Sequence, residues 1–490
     1  MNAEAKIISD KDVPAWVESV DVLVIGHGMS GTSAAIAARE AGREVLILER
    51  AGHWSTSSSA LSGGQVYLGG GTPVQLANGF EDKAEDLYNY LMAVTPDPDP
   101  VKIRLYADGS VAHFHWLEEN GVPFTRGYWG TDKHPLHPGK DCLSWSGNET
   151  VWPIREKARP FPRGHKPAVE DHAGGLASMT GLSASAEKKG VRTIYEARVT
   201  ALVREGDADG TGRIVGARVK KEGEILYYRG TMGVVLAAGG FIMNEQMCEQ
   251  YLPQLPKYLE RHGNANDDGF GIQLGMAAGA GTAHMNDFFT TACFYPPSKL
   301  VKGIIVNKFG RRFVQEDSYH GRTAALTLEQ PDGIGYLILD SEIFDYPEYK
   351  HMGHTLVDGW ETIAEMEAGL GVPKGSLEKT LGDYNANAAK GEDPEFHKEK
   401  KYLKPLTAAP YAAFNLSKEA VMYTCFTLGG LTTNENAQVL DTKGRVIPGL
   451  YAVGANASNL SQNAEGYVTG ISWGQGTFFG RRAGKHAAGG

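Results

Sequence analysis

The stretch "VDVLVIGHGMSGTSAAIAAREAGREVLILER", residues 20–50, decides the fold. An apolar, β-branched run at 22–25 leads straight into glycines. An Ala-rich stretch follows, ends at Gly42, and gives way to a second apolar run at 45–48. Periodicity and composition predict strand, helix, strand: one βαβ unit. Gly26, Gly28 and Gly31 fit G-x-G-x-x-G at the strand–helix junction. The first permits the turn. The second lets backbone approach a pyrophosphate, and the third lets the helix pack close on its strand. The helix then aims its positive end at the phosphates. Glu49 ends the second strand, 23 residues after Gly26, where a carboxylate accepts hydrogen bonds from both hydroxyls of an adenosine ribose. Strand, triplet, helix, strand and acid in register predict dinucleotide binding.

Two later apolar runs, 233–240 ("GVVLAAGG") and 449–454 ("GLYAVG"), also end in glycine. They read as further strands of the same sheet, with the chain leaving and returning. The predicted class is α/β: a Rossmann-like, discontinuous cofactor domain over 1–280 plus 421–490, with an inserted α+β catalytic or capping domain over 281–420. Within the insert, 360–371 and 377–396 read as helical.

Composition bounds the function. The chain has 490 residues, a net charge of −10 and no long basic run, which argues against nucleic acid. The densest positive stretch, "HKEKK" at 397–401, reads as a solvated loop. Cys142, Cys248, Cys293 and Cys425 are scattered without a CxxC pair, so no zinc, haem, iron–sulfur or redox motif is expected. His351 and His354 ("HMGH") lack further ligands nearby, so no metal is expected there. No apolar run is long enough to span a bilayer, and the N-terminus lacks a secretory core. A cytoplasmic location is the expectation.

A second Gly-rich segment, "ALSGGQVYLGGGTPVQ" (60–75), follows the acid closely. With it come "LAAGGF" (236–241), "NDDGFGIQLGMAAGA" (266–280), "NKFGRRFVQED" (307–317) and "GYVTG…GTFFGRRAG" (466–484). On these residues the chain resembles the FAD-dependent fumarate reductase/succinate dehydrogenase flavoprotein superfamily, and within it the 3-ketosteroid dehydrogenases. The resemblance implies FAD. It implies cofactor contacts at Gly26, Gly28, Ser30, Gly31, Glu49, Arg50, Ser57, Ser58, Ser62, Gly63, Gly64, Ala238, Gly239, Asp268, Gly454 and Gly470. It also implies that Ser62–Thr72 wraps pyrophosphate and flavin with backbone N–H groups, adding Gly69, Gly70, Gly71 and Thr72. Succinate dehydrogenases link their flavin through a His six residues before a Gly-Gly pair. That position here is Ser57, and His53 is ten residues before Gly63. The FAD is expected to be non-covalent.

Dicarboxylate-reducing members bind their substrate with His and Arg. The matching stretches here, "TCFTLGG" (424–430) and 456–470, carry no basic residue, and His320 stands at the proton-donating Arg position. What replaces them is aromatic and hydroxylic. "EDSYHGR" places Tyr319 three residues after Glu316, and "GYVTG" places Tyr467 and Thr469 on one face of an extended segment. These resemble the Δ4-(5α) type, with Thr469 where that type has Ser. The resemblance implies that a 3-oxo-5α-steroid loses a proton from C4 and a hydride from C5. Tyr319 and Tyr467 would polarise the ketone and move the proton, in an order left open, with Thr469 as relay and His354 as a further ketone donor. Tyr128, Trp129, Trp145 and Trp152 are candidates for an apolar sterol slot or for core packing. Δ1-dehydrogenation, another enone or enoate reduction, and a substrate-free electron-transfer subunit remain alternatives. The direction of reaction and the separate electron acceptor or donor are not readable.

Overall fold

The computed structural model describes residues 4–130, 139–255, 259–291, 299–346 and 355–489. The βαβ unit is there. Strand Glu18–Ile25 runs into helix Met29–Glu40 and then strand Val45–Leu48, which pairs parallel with the first from Val22↔Val45 to Ile25↔Leu48. Val22, Leu23, Val24 and Ile25 are all at most 5% exposed, so both faces of this strand are covered. Each such side chain contributes about 1.5–3 kcal/mol of burial, which is why the run is continuously apolar rather than alternating.

The later runs join the same sheet. Strand Glu224–Leu236 shifts register between Gly230 and Gly233. Its first half pairs antiparallel with Ile214–Lys221. Its second half lies parallel to Glu18–Ile25 on one side and to Val446–Ala452 on the other. Strand Arg192–Ile194 extends the parallel set beyond Val45–Leu48. Helix Ile471–Ala487 packs along Met29–Glu40. A Cβ on Gly484 would sit 2.0 Å from Ala34 O and one on Gly480 2.4 Å from Ser30 O, so these glycines set the helix spacing.

The segment between the two halves builds its own core. Strands Ile304–Asn307, Gly335–Asp340, Thr355–Trp360 and Tyr411–Asn415 form a four-stranded antiparallel sheet. A separate apolar cluster, with Ile304, Leu337, Leu377 and Phe414 among its members, lies on it. Thr362 and Glu365 form a capping box for helix Ile363–Leu370. Two expectations are corrected here. The helix expected over 377–396 spans Ser376–Ala388; Gly391 takes φ +76, and Asp393 beyond it accepts both Arg312 terminal nitrogens at 2.9 Å. Lys398 is not solvated: its Nζ donates to Gly303 O at 2.6 Å and lies 3.3 Å from Glu316. Glu316 is in turn held by Arg312 at 2.8 Å. Among the described residues no helix is long and apolar enough to cross a membrane.

Three buried histidines give the fold a pH signature. Burial lowers His27 to about 4, His113 to about 3 and His165 to about 4. The unfolded chain holds these protons up to about pH 6.5, whereas the folded chain releases them first. Their stability is therefore fully present above about pH 6.5 and lost as pH falls toward 4. Asp267, pushed up to about 6 by burial, works in the opposite sense. Calorimetry at pH 7 and pH 5 is expected to show a lower melting temperature at pH 5, with the difference reduced in His165→Gln.

Candidate active site

One cavity of about 530 Å³ opens where the parallel strands end at their C-terminal edge. Its lining includes Gly26, Gly28, Met29 and Ser30 at the start of the first helix. That helix begins at Met29 with Gly28 as cap, which has no side chain to lay across the mouth, so the helix's positive end faces the space. Gly26 sits at φ +110, and a Cβ there would stand 2.3 Å from Ala237 O, so the turn demands glycine.

Glu49 lies beside this turn. One carboxylate oxygen accepts the His27 N–H at 2.7 Å and the other accepts the Ala51 N–H at 2.7 Å. Those bonds fix its plane, and a carboxylate retains lone pairs for two ribose hydroxyls. Ser57, Ser58, Ser62, Gly63 and Gly64 line one wall; Ala238, Gly239, Asp268, Gly454 and Gly470 line others. Arg50 closes on Asp268 at 2.6 Å. The volume, the helix terminus, the serine hydroxyls and the clamped Glu49 suit a dinucleotide such as FAD.

Several expected contacts lie elsewhere. Gly31 faces the strand rather than the cavity: a Cβ there would meet Gly26 O at 2.1 Å. Gly69, Gly70, Gly71 and Thr72 do not line the cavity, which corrects the reading that Ser62–Thr72 wraps the cofactor throughout. Their N–H groups are taken internally: Gly69 donates to Ser110 Oγ, Gly70 to Asp82 Oδ2, and Gly71 and Thr72 to Gln75 Oε1. Thr72 also caps helix Pro73–Ala77 and bonds His165 at 2.8 Å. This second glycine cluster builds a turn. His351 and His354 lie outside the described residues.

The sequence reading missed a layer of supports. Ser59 Oγ accepts the Met29 N–H at 3.1 Å. Asp267 accepts the Ser58 hydroxyl at 2.5 Å. Asn456 accepts from Ala238 N at 2.6 Å and donates to Gly239 O at 2.7 Å, bracing that loop. Trp473 Nε1 donates to Ser62 Oγ at 2.8 Å. Only Ser59 had a local signal, in the serine run 57–59.

Beyond the glycine loops the same cavity is lined by Phe289, Tyr319, His320, Phe426, Tyr467 and Thr469. Tyr319 and Thr469 hydroxyls share a 2.6 Å hydrogen bond, although 150 residues separate them. The Tyr319 N–H donates to Asn148 Oδ1 at 2.9 Å and the Thr469 N–H to Ser146 O at 2.9 Å, so one loop positions both. Tyr467 and Thr469 lie in a loop rather than a strand, yet both reach the cavity, while Val468 between them is fully buried. The Tyr467 ring packs 4.5 Å from Phe289, and its hydroxyl meets Ser472 Oγ at 3.0 Å. Burial pushes the Tyr467 phenol up to about 12, the Ser472 bond opposing. It therefore carries its proton throughout the neutral range. His320 Nδ1 bonds Thr291 Oγ1 at 2.6 Å. Tyr128, Trp129, Trp145 and Trp152 do not line this cavity. Trp145 donates to the Tyr128 hydroxyl at 2.9 Å, and Trp152 is 39% exposed against His397, so neither sterol-slot nor core reading holds for Trp152.

Among the described residues the lining carries no cysteine and no His at a flavin-linking distance in sequence, so acid-precipitated protein is expected to release its flavin entirely into the supernatant. Yellow precipitate would contradict this.

Comparison with known proteins agrees with the geometry. A family model described as FAD binding domain matches residues 21–470. The crystal structure of 3-ketosteroid Δ4-(5α)-dehydrogenase from Rhodococcus jostii RHA1, in complex with 4-androstene-3,17-dione, is 39% identical, covers 99% of each chain and superposes with a TM-score of 0.91. A 3-oxo-5-alpha-steroid 4-dehydrogenase of Comamonas testosteroni is 27% identical over 91% of this chain and 94% of its own. A probable fumarate reductase of Shewanella frigidimarina is 28% identical over 96% of this chain and 75% of its own. The chain thus belongs to the FAD-binding-domain family of fumarate reductase-like flavoproteins and is an FAD-dependent oxidoreductase.

Proposed function

We propose that the protein is a 3-ketosteroid dehydrogenase that introduces the C4–C5 double bond of 3-oxo-5α-steroids, with residues 281–420 as its catalytic cap. The observation that carries this is the cluster of hydroxyls in the cavity. Tyr319, Thr469 and Tyr467 stand in the space continuous with the glycine cradle. The only Arg side chains lining it, Arg50 and Arg198, belong to the Glu49 end among the described residues. Among the described residues a dicarboxylate would find no paired Arg or Lys beside the tyrosines; an apolar ketone finds Phe289 and Phe426.

Bound FAD supplies the hydride acceptor. The chain's own residues handle the proton. Tyr467, held protonated by burial, donates a hydrogen bond to the C3 carbonyl oxygen and stabilises the charge that develops there. Tyr319 Oη takes the C4 proton as its own proton moves along the 2.6 Å hydrogen bond to Thr469, whose hydroxyl proton leaves to bulk water. Loss of that proton and of a hydride from C5 leaves the 4-ene-3-one. Two electrons then pass to a separate acceptor.

The test is anaerobic mixing of the holoprotein with 5α-androstane-3,17-dione or succinate, followed at the flavin's long-wavelength absorbance. Bleaching by the steroid alone, with a 4-ene product by NMR, is expected. A 1-ene product would move the reading to Δ1-dehydrogenation, and bleaching by succinate alone would overturn it.

A further inference from the structure

Three short strands wall the cavity beyond the glycine loops: Leu259–Arg261, Tyr423–Thr427 and Phe288–Thr291. The middle strand fixes the register. Thr424 stands opposite Glu260 on one side and Thr291 on the other, and Phe426 stands opposite Phe289. Side chains alternate across a strand, so Thr424 and Phe426 face one way, and both line the cavity. Glu260, His262, Phe289 and Thr291 line it with them.

The face has two ends. Adjacent strands are about 4.8 Å apart, so the outer two are separated by about 10 Å. At one end Phe289 packs against Tyr467, and Thr291 bonds His320. At the other end stand Glu260 and His262, both exposed at the rim. Thr424 Oγ1 donates to Glu260 Oε2 at 3.1 Å, which orients the carboxylate along this wall. The mechanism uses neither Glu260 nor His262. Between the two ends Phe426 offers an apolar surface.

An elongated ketone with its carbonyl at Tyr467 would extend about 10 Å across this wall toward the strand that carries Glu260. We propose that Glu260 is a specificity-determining residue that reads a hydroxyl on the substrate's end remote from the C3 ketone. This rests on the steroid reading above. A carboxylate only accepts hydrogen bonds, so a hydroxyl donates to it. A ketone at the same place presents lone pairs to lone pairs. The enzyme accordingly favours 3-oxo-5α-steroids with a hydroxyl at that end over those with a second ketone.

The experiment compares kcat/KM for 17β-hydroxy-5α-androstan-3-one and 5α-androstane-3,17-dione in the wild-type holoenzyme and in Glu260→Gln. The wild type is expected to favour the hydroxysteroid about tenfold, as one charge-assisted hydrogen bond supplies. The glutamine amide both donates and accepts, so Glu260→Gln is expected to bring the ratio near one, mainly through KM. A merely structural Glu260 would scale both substrates equally. Equal wild-type values, or an unchanged ratio in Glu260→Gln, overturn the proposal while leaving the dehydrogenase reading intact. If neither steroid is oxidised and neither bleaches the flavin, the steroid reading falls and this inference with it.

Discussion

Tyr467→Phe is expected to lower kcat by about 10²–10⁴-fold while the protein keeps its FAD. The substitution removes one oxygen. The ring keeps its 4.5 Å packing against Phe289, so the wall of the cavity survives. What goes is the only proton that Tyr467 can present to a carbonyl. Ser472, its 3.0 Å partner at the start of helix Ile471–Ala487, loses that bond. Removing a preorganised donor to a developing oxyanion costs about 10²–10³ in turnover in other enzymes. Stopped-flow bleaching with 5α-androstane-3,17-dione reads the step directly, and flavin absorbance at equal protein concentration reads occupancy. A rate within threefold of wild type would remove Tyr467 from the chemistry. Tyr319→Phe breaks the hydrogen bond to Thr469 and is expected to fall in the same range.

The second large effect concerns stability. Asp82 and Arg163 are both completely buried, and their pairing is bidentate at 2.8 and 2.9 Å. Asp82 also accepts from Gly70 N at 3.0 Å and from Gln75 Nε2 at 2.9 Å. Asp82→Ala therefore leaves a guanidinium charged in the interior and unties the second glycine turn. Breaking a buried pair in this way costs about 3–5 kcal/mol. Chemical denaturation of the variant is expected to show a loss of that size. The solvent-exposed pair Lys11–Asp207, 3.0 Å apart, is the control: Asp207→Ala should leave the melting temperature unchanged, because water screens it. Equal effects at the two sites would contradict the burial argument.

How legible these features were depended on how far apart their parts lie in the chain. The βαβ unit was readable because Gly26, Gly28, Gly31 and Glu49 act through local geometry: a turn, a helix start and a strand end within 24 residues. Strands 233–240 and 449–454 were readable as sheet members because burial on both faces imposes a continuous apolar run. Gly69–Thr72 misled because glycine reports backbone freedom, not what the freed backbone meets. There it meets Asp82, Ser110 and Gln75. Lys398 misled for the opposite reason. A charge run reads as solvated unless its partner is visible, and Glu316 lies 82 positions away. In the site, the aromatic and hydroxyl residues were legible by resemblance, but the Tyr319–Thr469 bond was not, since spacing carries no information across 150 residues. Trp152 shows the limit of residue type as a guide: its side chain packs, tilted, against His397 at the surface.

The way helix Ile471–Ala487 lies on Met29–Glu40 has a consequence for how the protein is made. Helix Met29–Glu40 can close against this partner only when residues 471–487 have emerged from the ribosome. Strand Glu224–Leu236 likewise waits for Val446–Ala452 to cover its second edge. The βαβ unit of residues 18–48 is therefore held as an unfinished template until residues 446–487 have been made, with a helix face bare. A nascent chain arrested before residue 446 should be captured by chaperones and retain no flavin, and cofactor capture should follow the emergence of residues 446–487 rather than precede it.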